Sequence, residues 1–326
     1  MLVDEIFAVY LWRTSQRVND NFYRTVLTYT ILFRECLNDL GWSKKIESES
    51  IKIEDEKFIL AQFENNIDLS SGIKVLKELN ISPDSIEYFD NNVFSTLDSI
   101  SPNYINNLIN KPYSKGYLLI GFRGADKSIV KGLSKAIKAL GGISSNIQLV
   151  DENESEISLK HKLDNIESVA LRHYDKGQRP IKILNSAGVP TNSISDFMNG
   201  MDALAKKLNT KLMFYGNVGE GLMSAIMLCD VNEVADRQSF FKLLSEASTL
   251  AVSLGGSLTA EGGLGRTATP YLSNEFSRAN LEIFTKLKNI FDPQYILNPG
   301  VKFNTTEDDI KPLLTNKYYP KNLENN

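Results

Sequence analysis

The sequence predicts an α+β protein: two ferredoxin-like βαββαβ units whose strands form a largely antiparallel sheet with helices on one face, preceded by an N-terminal helical segment. Three observations predict it. Apolar residues recur every three or four positions in some stretches and alternate or run in short blocks in others, so helical and strand periods are both present. These stretches follow the order strand, helix, strand, strand, helix, strand, and the order occurs twice. Glycine pairs close two of the helical stretches. With 326 residues, 42% of them hydrophobic, the chain has core enough for one large domain or two ordinary ones.

Residues 1–56 read as the helical segment. Phe22, Val26, Leu27, Tyr29, Leu32, Phe33, Cys36, Leu37 and Leu40 keep helical spacing. Such a face either packs on the rest of the chain or docks another subunit. The charged run from Ser43 to Lys57 is a linker, or a short exposed strand around Ile51 and Ile53. The main domain is expected over residues 57–303. Phe58–Phe63 reads as a strand, Leu69–Leu79 as a helix and Ser85–Phe89 as a strand. An Asn-rich helical excursion precedes the strand Gly116–Phe122. A helix on Ile129, Leu133, Ala136 and Leu140 ends at Gly141-Gly142, and Asn146–Val150 closes the first unit.

An acidic linker over 151–179 carries a helix on Leu159, Leu163, Ile166 and Ala170. In the second unit Pro180–Leu184 reads as a strand. Ser193-x-x-Asp196 has the form of a capping box opening a helix on Phe197, Met201, Leu204 and Leu208. Strands Lys211–Tyr215 and Leu222–Leu228 flank a glycine turn. A helix over Phe240–Leu254 ends at Gly255-Gly256, and Ser257–Ala260 reads as the last strand. A C-terminal helix on Phe276, Ile283, Phe284, Leu287 and Ile290 stops before Pro293, and residues 304–326 form a polar tail.

Composition narrows the function. The net charge is −4, with no clustered basic run, so nucleic acid is not an expected partner. No apolar stretch approaches the roughly 20 residues that span a bilayer, so no transmembrane segment is expected. Two cysteines, Cys36 and Cys229, stand outside any CxxC, as in a reducing compartment. The expected location is the cytoplasm, free or peripheral to a membrane. The chain has only two histidines, His161 and His173, so no multi-histidine metal site is available and no metal is expected.

Two glycine-rich segments could carry chemistry. Gly216-Asn-Val-Gly-Glu-Gly221 lies between two strands and lacks the G-x-G-x-x-G spacing and the following helix of a dinucleotide fingerprint. It reads as a tight turn where glycine supplies positive φ, or as a close backbone approach to a ligand. Thr259-Ala-Glu-Gly-Gly-Leu-Gly-Arg266 sets Glu261 and Arg266 among glycines, as a ligand-binding or a plain surface loop.

These segments carry a resemblance. Phe291-Asp-Pro-Gln-Tyr-Ile-Leu-Asn-Pro-Gly-Val-Lys-Phe303 is similar to the D-P-x-x-I-L-N-P-G-K-x-F tail of the C-terminal domain of FAD-linked oxidases, a family that includes D-lactate dehydrogenases, glycolate oxidase and D-2-hydroxyglutarate dehydrogenase. Residues 261–272 resemble the family's E-H-G-I-G-x-x-K-x-P-Y-L. Residues 216–224 resemble its G-H-x-G-D-G-N-x-H. Residues 81–90 and Val189-Pro190 fit two further family segments, so the likeness runs over about residues 57–303.

The departures matter as much as the matches. Family members carry a flavin-binding domain ahead of this one, where the present chain has the helical segment. The family's imidazoles are replaced: Asn217, Glu220, Leu222 and Ser224 fill the H, D, N and H of one motif, Gly262 the H of the next, and Ala268 its Lys. Of the two imidazoles and one carboxylate that hold a divalent ion in metal-using members, only Glu261 remains.

The resemblance therefore implies the substrate, or cap, subunit of a split FAD-dependent oxidoreductase acting on a small 2-hydroxy acid of the lactate or glycolate type, with a degenerate metal site. Its FAD would be bound mainly by a partner, a FAD-binding subunit of the same family. The alternatives are a non-catalytic structural or regulatory relative, and an unrelated ferredoxin-like binding module. Glu261 is the catalytic candidate. Arg172, Lys182, Asn217, Glu220 and Arg266 are candidates for binding substrate. Asn298, Lys302, Gly262 and Gly263 are candidates for contacting the cofactor.

Overall fold

Strands built from short apolar blocks alternate with helices whose apolar residues share one face. The computed structural model describes residues 55–100, 109, 111–150, 178–258, 260 and 263–314. The elements run β1 (Asp55–Phe63), α1 (Asn66–Lys77), β2 (Ser85–Asp90), α2 (Asn91–Ile100), β3 (Gly116–Gly124), α3 (Asp126–Leu140) and β4 (Asn146–Val150). After the undescribed 151–177 come β5 (Arg179–Gly188), α4 (Ile194–Lys207), β6 (Leu212–Asn217), β7 (Leu222–Cys229) and α5 (Val234–Ser253). The short α6 (Leu272–Glu275), then α7 (Arg278–Phe291) and the short α8 (Glu307–Ile310) follow. The expected helices of 1–56 and 151–177, and most of the polar tail, lie outside the described residues.

The seven strands form one antiparallel sheet in the order β4-β1-β3-β2-β6-β7-β5. Strand alternation divides its side chains between two faces. Ile59, Ala61 and Phe63 of β1, Leu118 and Ile120 of β3, Phe214 of β6 and Met223, Ala225 and Met227 of β7 meet the apolar faces of α1, α3, α4 and α5 in one cluster. Leu69, Ile73 and Leu76 of α1 and Leu133, Ala136 and Leu140 of α3 are nearly or wholly buried there. This is the stripe that helical spacing demands.

The opposite face holds the interleaved residues: Leu60, Leu119, Tyr117, Phe89, Met213 and Ile226. Against them packs α2, through Val93, Phe94 and Leu97. Phe94 meets the Tyr117 ring edge-on at 4.6 Å, and each such buried apolar side chain contributes roughly 1.5–3 kcal/mol. The sequence predicts helices on one face only; the structure has them on both. The Asn-rich excursion is an amphipathic helix with enough apolar surface to cover β2 and β6 from the other side.

Two local expectations also change. Ser193 makes no capping bond, because a 3₁₀ turn over Thr191–Ser193 precedes α4 and sets Ser193 at φ −104°, ψ 1°. Its hydroxyl donates instead to the Leu254 carbonyl at 3.5 Å. Ser257–Ala260 is reduced to a single bridge, between Ser257 and Gly188.

Candidate functional site

Two glycine-rich loops meet at one end of the sheet, and strand β5 joins them. β5 begins as an apolar strand and changes character at Asn185-Ser-Ala-Gly188. Its register against β7 shifts twice, between Lys182 and Leu184 and between Leu184 and Ala187. Bulges of this kind re-aim side chains. Ser186 takes φ 51°, a left-handed backbone unusual for a residue with a Cβ. The strained residue is held on both sides. Its N–H donates to the Ser224 Oγ at 2.9 Å, and its carbonyl accepts the Ala260 N–H at 2.7 Å.

The same few residues bind both glycine-rich segments. Val189 N–H donates to the Gly221 carbonyl at 2.7 Å, and Gly188 and Ser257 exchange backbone bonds of 3.1 and 2.9 Å. The Asn185 Nδ2 donates to the Gly263 carbonyl at 3.3 Å. Glycine is required in the first segment. Gly216 (φ 153°) and Gly221 (φ 74°) sit where an added Cβ would lie 2.3 Å from the Leu222 carbonyl and 2.4 Å from the Val189 carbonyl. Lys77 at the end of α1 ties the turn down through the Gly219 carbonyl, at 2.9 Å.

Pairing assigns the faces. Lys182 lies opposite Ile226, and Ser224 opposite Tyr215. Ile226 and Tyr215 belong to the face that α2 covers further along the sheet, so Lys182 and Ser224 share it. The Lys182 Nζ lies 3.0 Å from the Asn185 Oδ1. Ser224 is 5% exposed, and its hydroxyl lies 3.4 Å from that of Ser186. A cation, an amide and two hydroxyls are therefore gathered at the end of β5.

Of the expected site residues, Lys182 and Gly263 are brought together here. Asn217 and Glu220 sit in the neighbouring turn, where the Asn217 Oδ1 accepts the Glu220 N–H at 3.1 Å and turns the amide back on its own loop. Arg266, Asn298 and Lys302 form a separate cluster. The Arg266 Nε donates to the Pro299 carbonyl at 2.9 Å, Asn298 and Lys302 have φ of 47° and 66°, and Lys302 N–H donates to the Thr269 Oγ1 at 2.9 Å. Glu261, Gly262 and Arg172 lie outside the described residues, as do His161 and His173. Asn185 and Ser186 emerge only from the structure. Their signal in the sequence is the run of small polar residues that interrupts an apolar strand.

Other reactive groups lie elsewhere. Burial pushes the Cys229 thiol up to about 12, which leaves it protonated and unreactive. Among the described residues no three His, Cys, Asp or Glu side chains converge as a metal site would need. None of the described helices is long and apolar enough to cross a membrane.

Residues 52–301 match the family model for FAD linked oxidases, C-terminal domain. The chain is 25% identical over 255 residues to the glycolate oxidase subunit GlcD of Bacillus subtilis, covering 77% of this chain and 52% of that protein. It is 32% identical over 120 residues to a D-lactate dehydrogenase of Archaeoglobus fulgidus, covering 37% and 26%. The fold is also that of 4-ethylphenol oxidase from Gulosibacter chungangensis, with TM-score 0.59, 13% identity and coverage of 78% and 55%. Against GlcD, as against the oxidase, the chain spans about half of the other protein's length.

Glycine-rich loops that feed a helix N-terminus are a common cradle for a dinucleotide's diphosphate. The described glycine turns are built differently: one joins β6 to β7, and the other, at 263–265, leads into a 3₁₀ turn over Thr269–Tyr271. Neither described glycine turn is therefore a cradle of that kind for the diphosphate of FAD. What the described residues offer is a lysine, an amide and two hydroxyls gathered along β5. On the match of residues 52–301, the chain belongs to the family of FAD linked oxidases, as their C-terminal domain.

Proposed function

We propose that this chain is the substrate-side cap of an FAD-dependent oxidoreductase acting on a small 2-hydroxy acid, and that a separate FAD-binding polypeptide of the same family carries the flavin. The observation that carries this reading is the convergence at the end of β5, where Lys182, Asn185, Ser186 and Ser224 meet the two glycine-rich segments. It occurs in a chain whose relatives include a glycolate oxidase subunit and a D-lactate dehydrogenase.

The chemistry suits such a substrate. A 2-hydroxy acid presents a carboxylate next to a hydroxyl. An ammonium binds the carboxylate as a point charge, and Arg172 adds a fork for the same group. Ser186 and Ser224 offer hydroxyl partners to the substrate, and Glu261 accepts the substrate's hydroxyl proton. Redox chemistry belongs to the flavin. In this reading Gly262, Gly263, Asn298 and Lys302 face the cofactor from the cap side, Asn217, Glu220 and Arg266 border the substrate, and no metal takes part. The strand orders β4-β1-β3-β2 and β6-β7-β5 with the Ser257 bridge are read as two βαββαβ copies abutting at β2 and β6.

The test is co-expression of the full chain with FAD-binding polypeptides of this family from the same genome. A yellow, stoichiometric complex that oxidises glycolate, D-lactate or D-2-hydroxyglutarate is expected. A chain that stays colourless and alone in every pairing overturns the reading.

A second reading has its own observation. Ser224 and Asn217 stand where the family has imidazoles, and both are engaged in holding backbone. This favours a non-catalytic relative that keeps the scaffold. A yellow complex inert towards all three acids selects it. Turnover that disappears in Glu261→Gln or Arg172→Ala rejects it.

A further inference from the structure

We propose that the outer face of α3 is a docking surface for an anionic lipid bilayer, with four lysines against the headgroups and Val130 and Ile137 touching the interfacial layer. The proposal is independent of the flavin partnership and concerns another part of the molecule.

The sequence of α3 divides the helix into two sides. Ile129, Leu133, Ala136 and Leu140 form the buried one. At about 100° per residue, Lys127, Lys131, Lys135 and Lys138 fall in one narrow sector on the opposite side, a stripe about 17 Å long. Lys127, Lys131 and Lys138 are exposed and Lys135 is partly so. None of the four pairs with a carboxylate among the described residues. The helix's single acidic residue, Asp126, is turned to Lys57 at 3.7 Å. With four lysines against one aspartate, α3 is a basic element in a chain of net charge −4.

Apolar side chains border the stripe. Val130 and Ile137 lie two turns apart on one flank of α3, 58% and 41% exposed. Gly132, on the other flank, comes so near Phe122 of β3 that an added Cβ would lie 2.5 Å from its ring. The strand order β4-β1-β3 therefore turns Val130 and Ile137 toward the β4 edge. Leu149 of β4 lies opposite Ile59, on the face that the helix covers, and is 57% exposed.

The chemistry of the stripe selects its occupant. A lysine ammonium is a hydrated point charge on a flexible stem, whereas the arginine fork suits carboxylates held in fixed positions. Protein interfaces are enriched in arginine and depleted of lysine, and α3 has four lysines and no arginine. A fluid array of phosphate and carboxylate headgroups demands no fixed geometry, so mobile ammonium groups match it. Each adds roughly fivefold to partitioning onto an anionic surface. Lysine stems also lie along apolar surface while their heads stay in water, which lets Val130, Ile137 and Leu149 reach the interfacial layer. An anionic bilayer repels the rest of an acidic protein, so the stripe also fixes which side approaches.

The test is cosedimentation of the full chain at low salt with vesicles of about 30% phosphatidylserine in phosphatidylcholine, and with vesicles of phosphatidylcholine alone. We expect binding to the anionic vesicles only, lost as salt rises to about 0.5 M. Lys131→Glu combined with Lys138→Glu should weaken it at least about thirtyfold, and Val130→Ser combined with Ile137→Ser by a smaller factor. Lys206→Glu combined with Lys242→Glu makes the same change of net charge at exposed positions of α4 and α5, and should bind as the unaltered chain does. Unchanged melting shows that each variant keeps the fold. Failure to bind anionic vesicles, equal binding to both kinds, or an equal loss in the two lysine pairs overturns the proposal. Capture by polyglutamate in preference to the vesicles overturns it in favour of an acidic protein partner.

Discussion

The Ser186 N–H and the Ser224 Oγ are joined at 2.9 Å across the second bulge of β5. Ser186 is in the left-handed region, so this bond and the one from Ala260 offset a strained backbone. Replacing Ser224 by Ala leaves the part-buried Ser186 N–H without its acceptor. The expected loss is about 1–2 kcal/mol, read as a lower urea midpoint at unchanged slope, while Ser224→Thr keeps the oxygen and most of the stability. An unmoved midpoint in the alanine variant means that the hydroxyl does not support the bulge.

Lys182 is the cation that the structure brings to this end of the sheet. Lys182→Met retains the aliphatic stem and removes the charge. A charged hydrogen bond to a substrate carboxylate contributes roughly 1.5–3 kcal/mol, so kcat/KM of the flavin complex for its 2-hydroxy acid should fall about ten- to a hundredfold. Lys182→Arg should recover part of it. Equal kinetics in the methionine variant would place the carboxylate elsewhere.

The turn between β6 and β7 has no room for a side chain at Gly221. Alanine there must adopt φ 74° and bring its Cβ to 2.4 Å from the Val189 carbonyl. The backbone has to move, and with it the Val189–Gly221 bond that joins the turn to β5. Gly221→Ala should cost about 2 kcal/mol or more, measured by thermal unfolding. Gly142→Ala, with open space around it, should change stability by under about 0.5 kcal/mol.

The strands and most helices were legible because each is a local pattern. Ile59, Ala61 and Phe63 alternate with Leu60 whatever lies across from them, and Leu69, Ile73 and Leu76 share a helix face in isolation. Which face of the sheet a helix covers is not local. The Phe94 helix packs opposite the others, on the apolar face that Phe89 of β2 and Met213 of β6 line, and the period of Asn91–Ile100 carries no sign of that. Ser193 had the residues of a capping box, and the preceding 3₁₀ turn removed the geometry. At the candidate site the glycine turn could be read, since Gly216 and Gly221 announce positive φ. Ser186 could not, because its conformation follows from a register shift against β7. Lys182 entered through the family resemblance, and only the pairing with Ile226 shows which face it occupies.

Beneath α2 lies a carboxyl group whose titration should be visible. Asp90, 2% exposed at the end of β2, accepts the Val93 N–H at 2.8 Å and so starts the helix. Burial pushes its carboxyl up to about 7, aided by the nearby Asp202 and opposed by the backbone N–H groups of Val93 and Phe214 and by Lys115. Lys115 is itself bound to Asp202 at 2.6 Å, and Lys211 also feels the Asp90 charge. The folded pKa exceeds the unfolded one, so between about pH 4 and pH 7 the native chain binds more protons than the unfolded chain. Its stability contribution is complete below pH 4 and lost as pH rises through 7, a change on the order of 4 kcal/mol. Asp90→Asn stays neutral throughout and keeps an acceptor for Val93, so its unfolding free energy should vary less from pH 5 to pH 8 than that of the unaltered chain. Parallel stability curves for the two would mean that Asp90 is ionised in the folded protein well below pH 7.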